Sequence, residues 1–230
     1  MRLPLLLTAL ALAASPAIAA SRDYRVPGFD RVSTSVPFDV RVRTGAAPSV
    51  HATAPQDILD RLQVEVRGGE LVISMRERSG WFSGWNWRGG KGVIEVGVPM
   101  LQAARLRGPG DLTVDRVRGP RFEATLSGPG NLSVGTLDTR QLDATLNGPG
   151  NISLAGRAET ANLVLRGPGD IRAAGLTSRE ATVSLSGPGN LAATVTGLAR
   201  GTLTGPGDIT IRGGARCDIS RRGPGEVHCR

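Results

Sequence analysis

Residues able to do chemistry are few in this chain of 230, and they are unevenly placed. There are two histidines, His51 and His228, far apart in sequence. Spacing leaves a Ser-His-Asp grouping open, but no Gly-x-Ser-x-Gly elbow is present to mount a nucleophile. Three aspartates, Asp111, Asp170 and Asp208, each follow a Gly-Pro-Gly tripeptide. Stacked in one column they would suit a hard cation, which wants several oxygen ligands, or acid–base attack on a polysaccharide. The same place is held by Asn131, Asn151, Asn190 and Glu226, so hydrogen-bonded capping of a turn explains the column better. We therefore expect no metal, no cofactor and no catalysis. Cys217 and Cys229 lie twelve residues apart without an accompanying pair of histidines, which disfavours zinc.

All three tryptophans, Trp81, Trp85 and Trp87, fall in one Gly-rich stretch, residues 79–91. Rings at such spacing could stack on sugars, meet a partner protein or rest on a membrane surface. Alternatively the stretch folds back and its rings cover the end or flank of the fold, because large exposed apolar patches are unusual on monomers. These three residues are the candidate ligand-binding set.

The elements that must position these residues are set by a repeat. Gly-Pro-Gly begins at Gly108, Gly128, Gly148, Gly167, Gly187, Gly205 and Gly223, at spacings of 20, 20, 19, 20, 18 and 18 residues. Pro at the second and Gly at the third place of a four-residue turn is the type II pattern, with the positive φ on that glycine. The polar residue that follows can bond to the turn backbone or to its equivalent one layer away. Two residues before the first six motifs stands leucine, from Leu106 to Leu203, and four after each first Gly stands Leu, Ile or Val, as in Leu112, Ile152 and Val227. Apolar residues at every second place mean strands with one face inward. Eighteen to twenty residues make one coil of a parallel β-helix, with successive coils about 4.8 Å apart, and a lone coil cannot bury its apolar face. The expected fold is all-β: a parallel β-solenoid of about six to seven short coils over residues 101–230, with a β-rich N-terminal cap over 21–100 continuous with it. In the cap, strands are expected at Phe38–Arg43, Gln63–Val66, Glu70–Ile73 and Val93–Val98. Gly68-Gly69 would form a hairpin turn and Pro55–Leu62 a turn or two of helix.

The last coil carries Arg221 where the others carry Leu, a break suited to a solenoid end. Cys217 and Cys229 then occupy the two inward columns on either side of the last turn, and we expect a disulfide across it rather than two free buried thiols.

Residues 1–20 hold one Arg, an apolar run and then small residues, the form of a secretory leader. No Cys follows that run, and no later segment has the roughly 18 apolar residues of a membrane span. The protein is expected in the periplasm or outside the cell. Its net charge is +8, and of 28 basic residues only Lys91 is lysine. The arginines are scattered among acids, so decoration of exposed faces accounts for them better than a nucleic-acid surface.

The serial Gly-x-Gly-Asp/Asn turns with their flanking Leu and Ile resemble the head GIN domain family of bacterial exported proteins, described as auto-transporter adhesins. Asp57-Ile58-Leu59-Asp60, Val64-Glu65-Val66 and Gly69-Glu70-Leu71 fit the same pattern, and the resemblance covers about Phe29 to Glu226. It implies a solenoid-like all-β fold and an adhesive role. Only four residues follow Glu226, so a translocating barrel is not expected here. The expected function is a non-catalytic adhesion, binding or structural module of the cell envelope, with a glycan, a polyanion or an envelope protein as partner. The alternative is a polysaccharide-active β-helix enzyme, marked by a groove where acids and arginines of three adjacent coils converge.

Overall fold

The computed structural model describes residues 20–76 and 92–230. In chain order its first elements are β1 (Ala20–Tyr24), β2 (Arg31–Thr34), β3 (Asp39–Thr44), β4 (Ser49–Ala54), a short helix α1 (Gln56–Leu59), β5 (Leu62–Arg67), β6 (Glu70–Met75) and β7 (Val93–Val98). The remainder are β8 (Ala103–Arg107), β9 (Asp111–Ser127), β10 (Asn131–Asn147), β11 (Asn151–Arg166), β12 (Asp170–Ser186), β13 (Asn190–Thr204), β14 (Ile209–Arg212), β15 (Arg216–Arg222) and β16 (Val227–Cys229). The architecture is a β-solenoid. Each of β9 to β13 runs almost the whole way round a coil and pairs in parallel, residue under equivalent residue, with the next.

Alternation in sequence becomes a core of stacked columns. Leu106, Leu126, Leu146, Leu165, Leu185 and Leu203 lie one under another and are fully or almost fully buried. A second column starts at Phe122 and continues through Leu142, Ala161, Ala181 and Ala199 to Cys217. Its side chains shrink from Phe and Leu to Ala as the coils shorten from twenty residues to eighteen.

The turns depart from the expected type II geometry. The positive φ falls on the first glycine of each motif, from 113° at Gly205 to 143° at Gly108, and not on the third. The third glycine is required for a different reason. A Cβ on Gly130, Gly150 or Gly189 would lie 2.0, 2.2 or 1.9 Å from the carbonyl oxygen of the matching glycine in the preceding coil. With no side chain there, the turn backbones themselves pair: the Gly130 N–H donates to the Gly108 carbonyl at 3.1 Å, and Gly150 to Gly128 at 3.0 Å.

The coil geometry begins before the repeat. Thr34 is level with Leu106 and Val40 with Leu112, so Val36-Pro37-Phe38-Asp39 stands directly over Gly108-Pro109-Gly110-Asp111. The layers are not in chain order. β2 lies between β6 and β8, and β3 between β7 and β9, so the layer of β6 and β7 is the outermost of the parallel ones. The chain must then cross from β7 to β8 over the intervening coil, through Pro99 to Gln102. Nine parallel strands, β6, β2, β8 to β13 and β15, form one long face, about 40 Å along the stack at roughly 4.8 Å per layer.

The two ends are closed differently. At the N-terminal end β5 pairs antiparallel with β6, and β4 with β7 and β1. Gly68 and Gly69, both at positive φ, turn β5 into β6, and α1 buries Ile58 and Leu59 over the mouth of the core. At the other end Cys217 and Cys229 are disulfide-bonded across the last turn, with Cα atoms 6.5 Å apart. Arg221, in the leucine column, donates to the Gly225 carbonyl at 3.2 Å.

Candidate functional site

Four places bring together residues that could act on something outside the chain. The first is the turn edge. Asn131 donates from Nδ2 to Asp111 Oδ1 at 2.9 Å, Asn151 to Asn131 Oδ1 at 2.9 Å, and Asn190 to Asp170 Oδ1 at 3.1 Å. An amide both donates and accepts, so asparagine passes the ladder on; a carboxylate only accepts, so each run starts at an aspartate. The Glu226 N–H likewise donates to Asp208 Oδ1 at 2.8 Å. The column is thus occupied with itself. Among the described residues no three Asp, Glu, His or Cys side chains come together as cation ligands.

The second place lies on the long face. Arg105 of β8 reaches Glu70 Oε1 of β6, across the intervening β2, at 2.9 Å and Glu123 Oε2 of β9 at 3.0 Å. Burial opposes the charge on Arg105, but its hydrogen bonds to Glu123 and Glu70 outweigh that and raise its pKa above the ordinary value. Acids and an arginine of neighbouring layers do converge here, but they satisfy one another on an outward strand face.

The third place is near the N-terminal end. His51 Nδ1 is 2.7 Å from Asp23 Oδ1 and its Nε2 is 3.4 Å from Thr53 Oγ1. The order acid, imidazole, hydroxyl is that of a hydrolytic triad. What such chemistry also needs is free backbone donors for an oxyanion. β4 is paired on both sides, with β1 and β7, so its own amides are committed to the sheet. His228, the other histidine, pairs with Glu226 at the opposite end of the stack.

The fourth place is a corner cleft of about 360 Å³ where the chain crosses from β7 to β8. It is lined by Thr44, Gly45, Pro99, Leu101, Arg116 and Arg118. Met100 also lines it, is 61% exposed, and is the one large apolar side chain so exposed among the described residues. The cleft exists because the third face of the solenoid stops here. β9 pairs with β3 at residues 112–114 and with β8 at 123–127, so residues 115–122 have a strand partner only in β10. Burial of Val117 inward turns Arg116 and Arg118 outward together. The acids beside them are engaged elsewhere. Asp115 accepts from the Thr44 N–H at 3.0 Å and from the Arg116 N–H at 2.6 Å. Asp138 is held by Arg157 through two bonds, of 2.8 and 2.7 Å. Arg157 depresses the Asp138 carboxyl pKa, with a smaller pull from the charge of Arg118.

Trp81, Trp85 and Trp87 lie outside the described residues, as do residues 1–19. The described residues that flank the tryptophan stretch, Arg76 and Gly92, sit at the turn edge of the outermost parallel layer. The turn glycines and the cysteine pair were readable from spacing; the corner cleft was not, because residues 44–45, 99–101 and 116–118 meet only through the non-sequential layering.

With this geometry in hand, likeness to known proteins is informative. A family model described as "Putative auto-transporter adhesin, head GIN domain" matches residues 28–215. The chain belongs to that family. The "putative adhesin" of Bacteroides fragilis has the same fold, with a TM-score of 0.85 at 21% identity over 94% of this chain and 98% of that one. A "putative lipid binding protein" of Parabacteroides distasonis follows at 0.73 and 20%, over 92% and 96%. A "putative adhesin" of Parabacteroides merdae gives 0.71 and 18%, over the same shares. Identities this low speak for the fold alone. No curated protein matches the chain. No helix among the described residues is long and apolar enough to cross a membrane.

Proposed function

We propose that this head GIN domain protein is an exported, non-catalytic adhesion module that binds a glycan or another polyanion of the cell envelope on the outside of its coil stack. The observation that carries the reading is the stack itself, in a family described as adhesins. About 40 Å of outward columns suits an extended polymer. The groups best able to do acid–base work are either bonded to one another, as on the turn edge, or set on a flat paired strand, as at His51. The leader-like residues 1–20 support export to the periplasm or beyond. In this reading Trp81, Trp85 and Trp87 supply rings that stack on sugars.

The test is binding of the purified protein to a panel of bacterial envelope glycans and lipopolysaccharide, beside a variant with Trp81, Trp85 and Trp87 changed to Ala. Saturable binding by the intact protein is expected, weakened at least tenfold in the variant. Absence of binding across the panel would contradict the adhesive role. Undiminished binding by the variant would remove the tryptophans from it.

A further inference from the structure

We propose that the corner cleft is a subsite for one anionic sugar, carrying a carboxylate or a sulfate, of an acidic polysaccharide. The proposal rests on the adhesive reading and deepens it by naming the site and the ligand class. Two guanidinium groups, Arg116 and Arg118, face the cleft with no ion pair to any carboxylate among the described residues. Their neighbours explain why. Asp115 is turned to the backbone and hydroxyl of Thr44, and Asp138 is taken on two oxygens by Arg157. Most other arginines of the N-terminal layers are paired, whereas these two stand unpaired side by side. Guanidinium groups are weakly hydrated forks that match a planar or tetrahedral oxyanion through paired N–H bonds.

The cleft also has an apolar part. Met100 and Pro99 present hydrocarbon next to the two cations, an arrangement that fits a ring with one anionic edge and one C–H face. A volume of about 360 Å³ lies within the usual range for small-molecule sites. The cleft is also open at a face that continues along the solenoid, so a ring seated in it can belong to a longer chain.

A peptide strand added to the open edge of β9 is the competing occupant, and the edge is too short for it. The Arg116 N–H is bonded to Asp115 and its carbonyl accepts from Thr44 Oγ1 at 2.8 Å. Pro120 has no N–H to offer. Strand addition draws its affinity from a run of main-chain bonds, and only a few residues remain between those two limits.

The experiment measures affinity for a polyuronate, a sulfated glycosaminoglycan, neutral dextran and anionic phospholipid vesicles. The two acidic polymers separate carboxylate from sulfate as the preferred anion, and dextran is expected not to bind. Arg116→Gln with Arg118→Gln should weaken binding of at least one acidic polymer tenfold or more. Arg200→Gln with Arg222→Gln, two exposed arginines outside any ion pair at the other end, removes the same charge and should change it less than twofold. Met100→Gln should weaken it severalfold with charge untouched. Equal losses in the two double variants would mean diffuse attraction and overturn the site, as would no binding of either acidic polymer. Binding confined to the vesicles would overturn the ligand class. If a neutral envelope glycan binds and is unaffected by the cleft variants, the adhesive reading survives and this one falls; if nothing binds in either panel, both fall.

Discussion

At the scale of single residues, glycine does two jobs in one turn. The first glycine of each motif supplies a positive φ, which L side chains resist. The third supplies the absence of a side chain, because the turn below passes where a Cβ would stand. The two requirements can be separated experimentally. Gly150→Ala puts a methyl 2.2 Å from the Gly130 carbonyl and 2.7 Å from that of Gly128, with no flexible atom to yield. We expect a loss of at least about 3 kcal/mol in denaturant unfolding. Gly119→Ala, where a Cβ meets nothing within 4 Å, should change stability by no more than about 0.5 kcal/mol. The Pro-Gly pair made a type II turn the natural reading of the sequence. Only the contact between coils shows that the third glycine answers to its neighbour and not to its own dihedral angle.

At the scale of elements, each coil is held to the next by side chains as well as by the strand ladder. The turn-edge column shows how residue choice sets direction, with asparagine propagating a bond and aspartate starting a run. Asn131→Asp removes the donor to Asp111 and stacks two carboxylates in adjacent layers. Like charge raises the folded-state pKa of that pair above the unfolded value of about 3.9. The variant's deficit is therefore full at neutral pH, about 1–3 kcal/mol, and closes as pH falls through the raised value. Thermal melts of the variant and the parent from pH 7 to pH 3 check this; a gap that does not narrow in acid would refute it. The columns were legible from Gly108 onward because turn residues and leucines recur in phase. The earlier coil was hidden because Val36-Pro37-Phe38-Asp39 lacks both glycines. Phe38 is accommodated by Gly92 in the layer beyond it, where a Cβ would lie 3.0 Å from the Phe38 ring. The space that later coils make in their own turns is here made by the neighbouring layer.

At the scale of the whole molecule, what local sequence could not reveal was layer order. Nothing in the sequence of β6 or β7 says that these strands stack outside residues 31–44, yet that order forces the crossing at Pro99–Gln102 and so creates the corner cleft. Arg116 and Arg118 looked like any other arginines scattered along the chain, and only the layer order shows that they line one cleft without an ion pair among the described residues. The same view explains the ends. A disulfide and Arg221 close one, while antiparallel strands and α1 close the other, so the stack offers its sides and not its edges for contact. A protein built this way should hold a polymer along its flank and leave it intact. The measurement that tests this most directly is size-exclusion chromatography with light scattering on the protein after prolonged incubation with an acidic polysaccharide. Co-elution of the protein with polymer of undiminished mass is the predicted result. Polymer reduced to shorter fragments, or protein eluting alone, would contradict it.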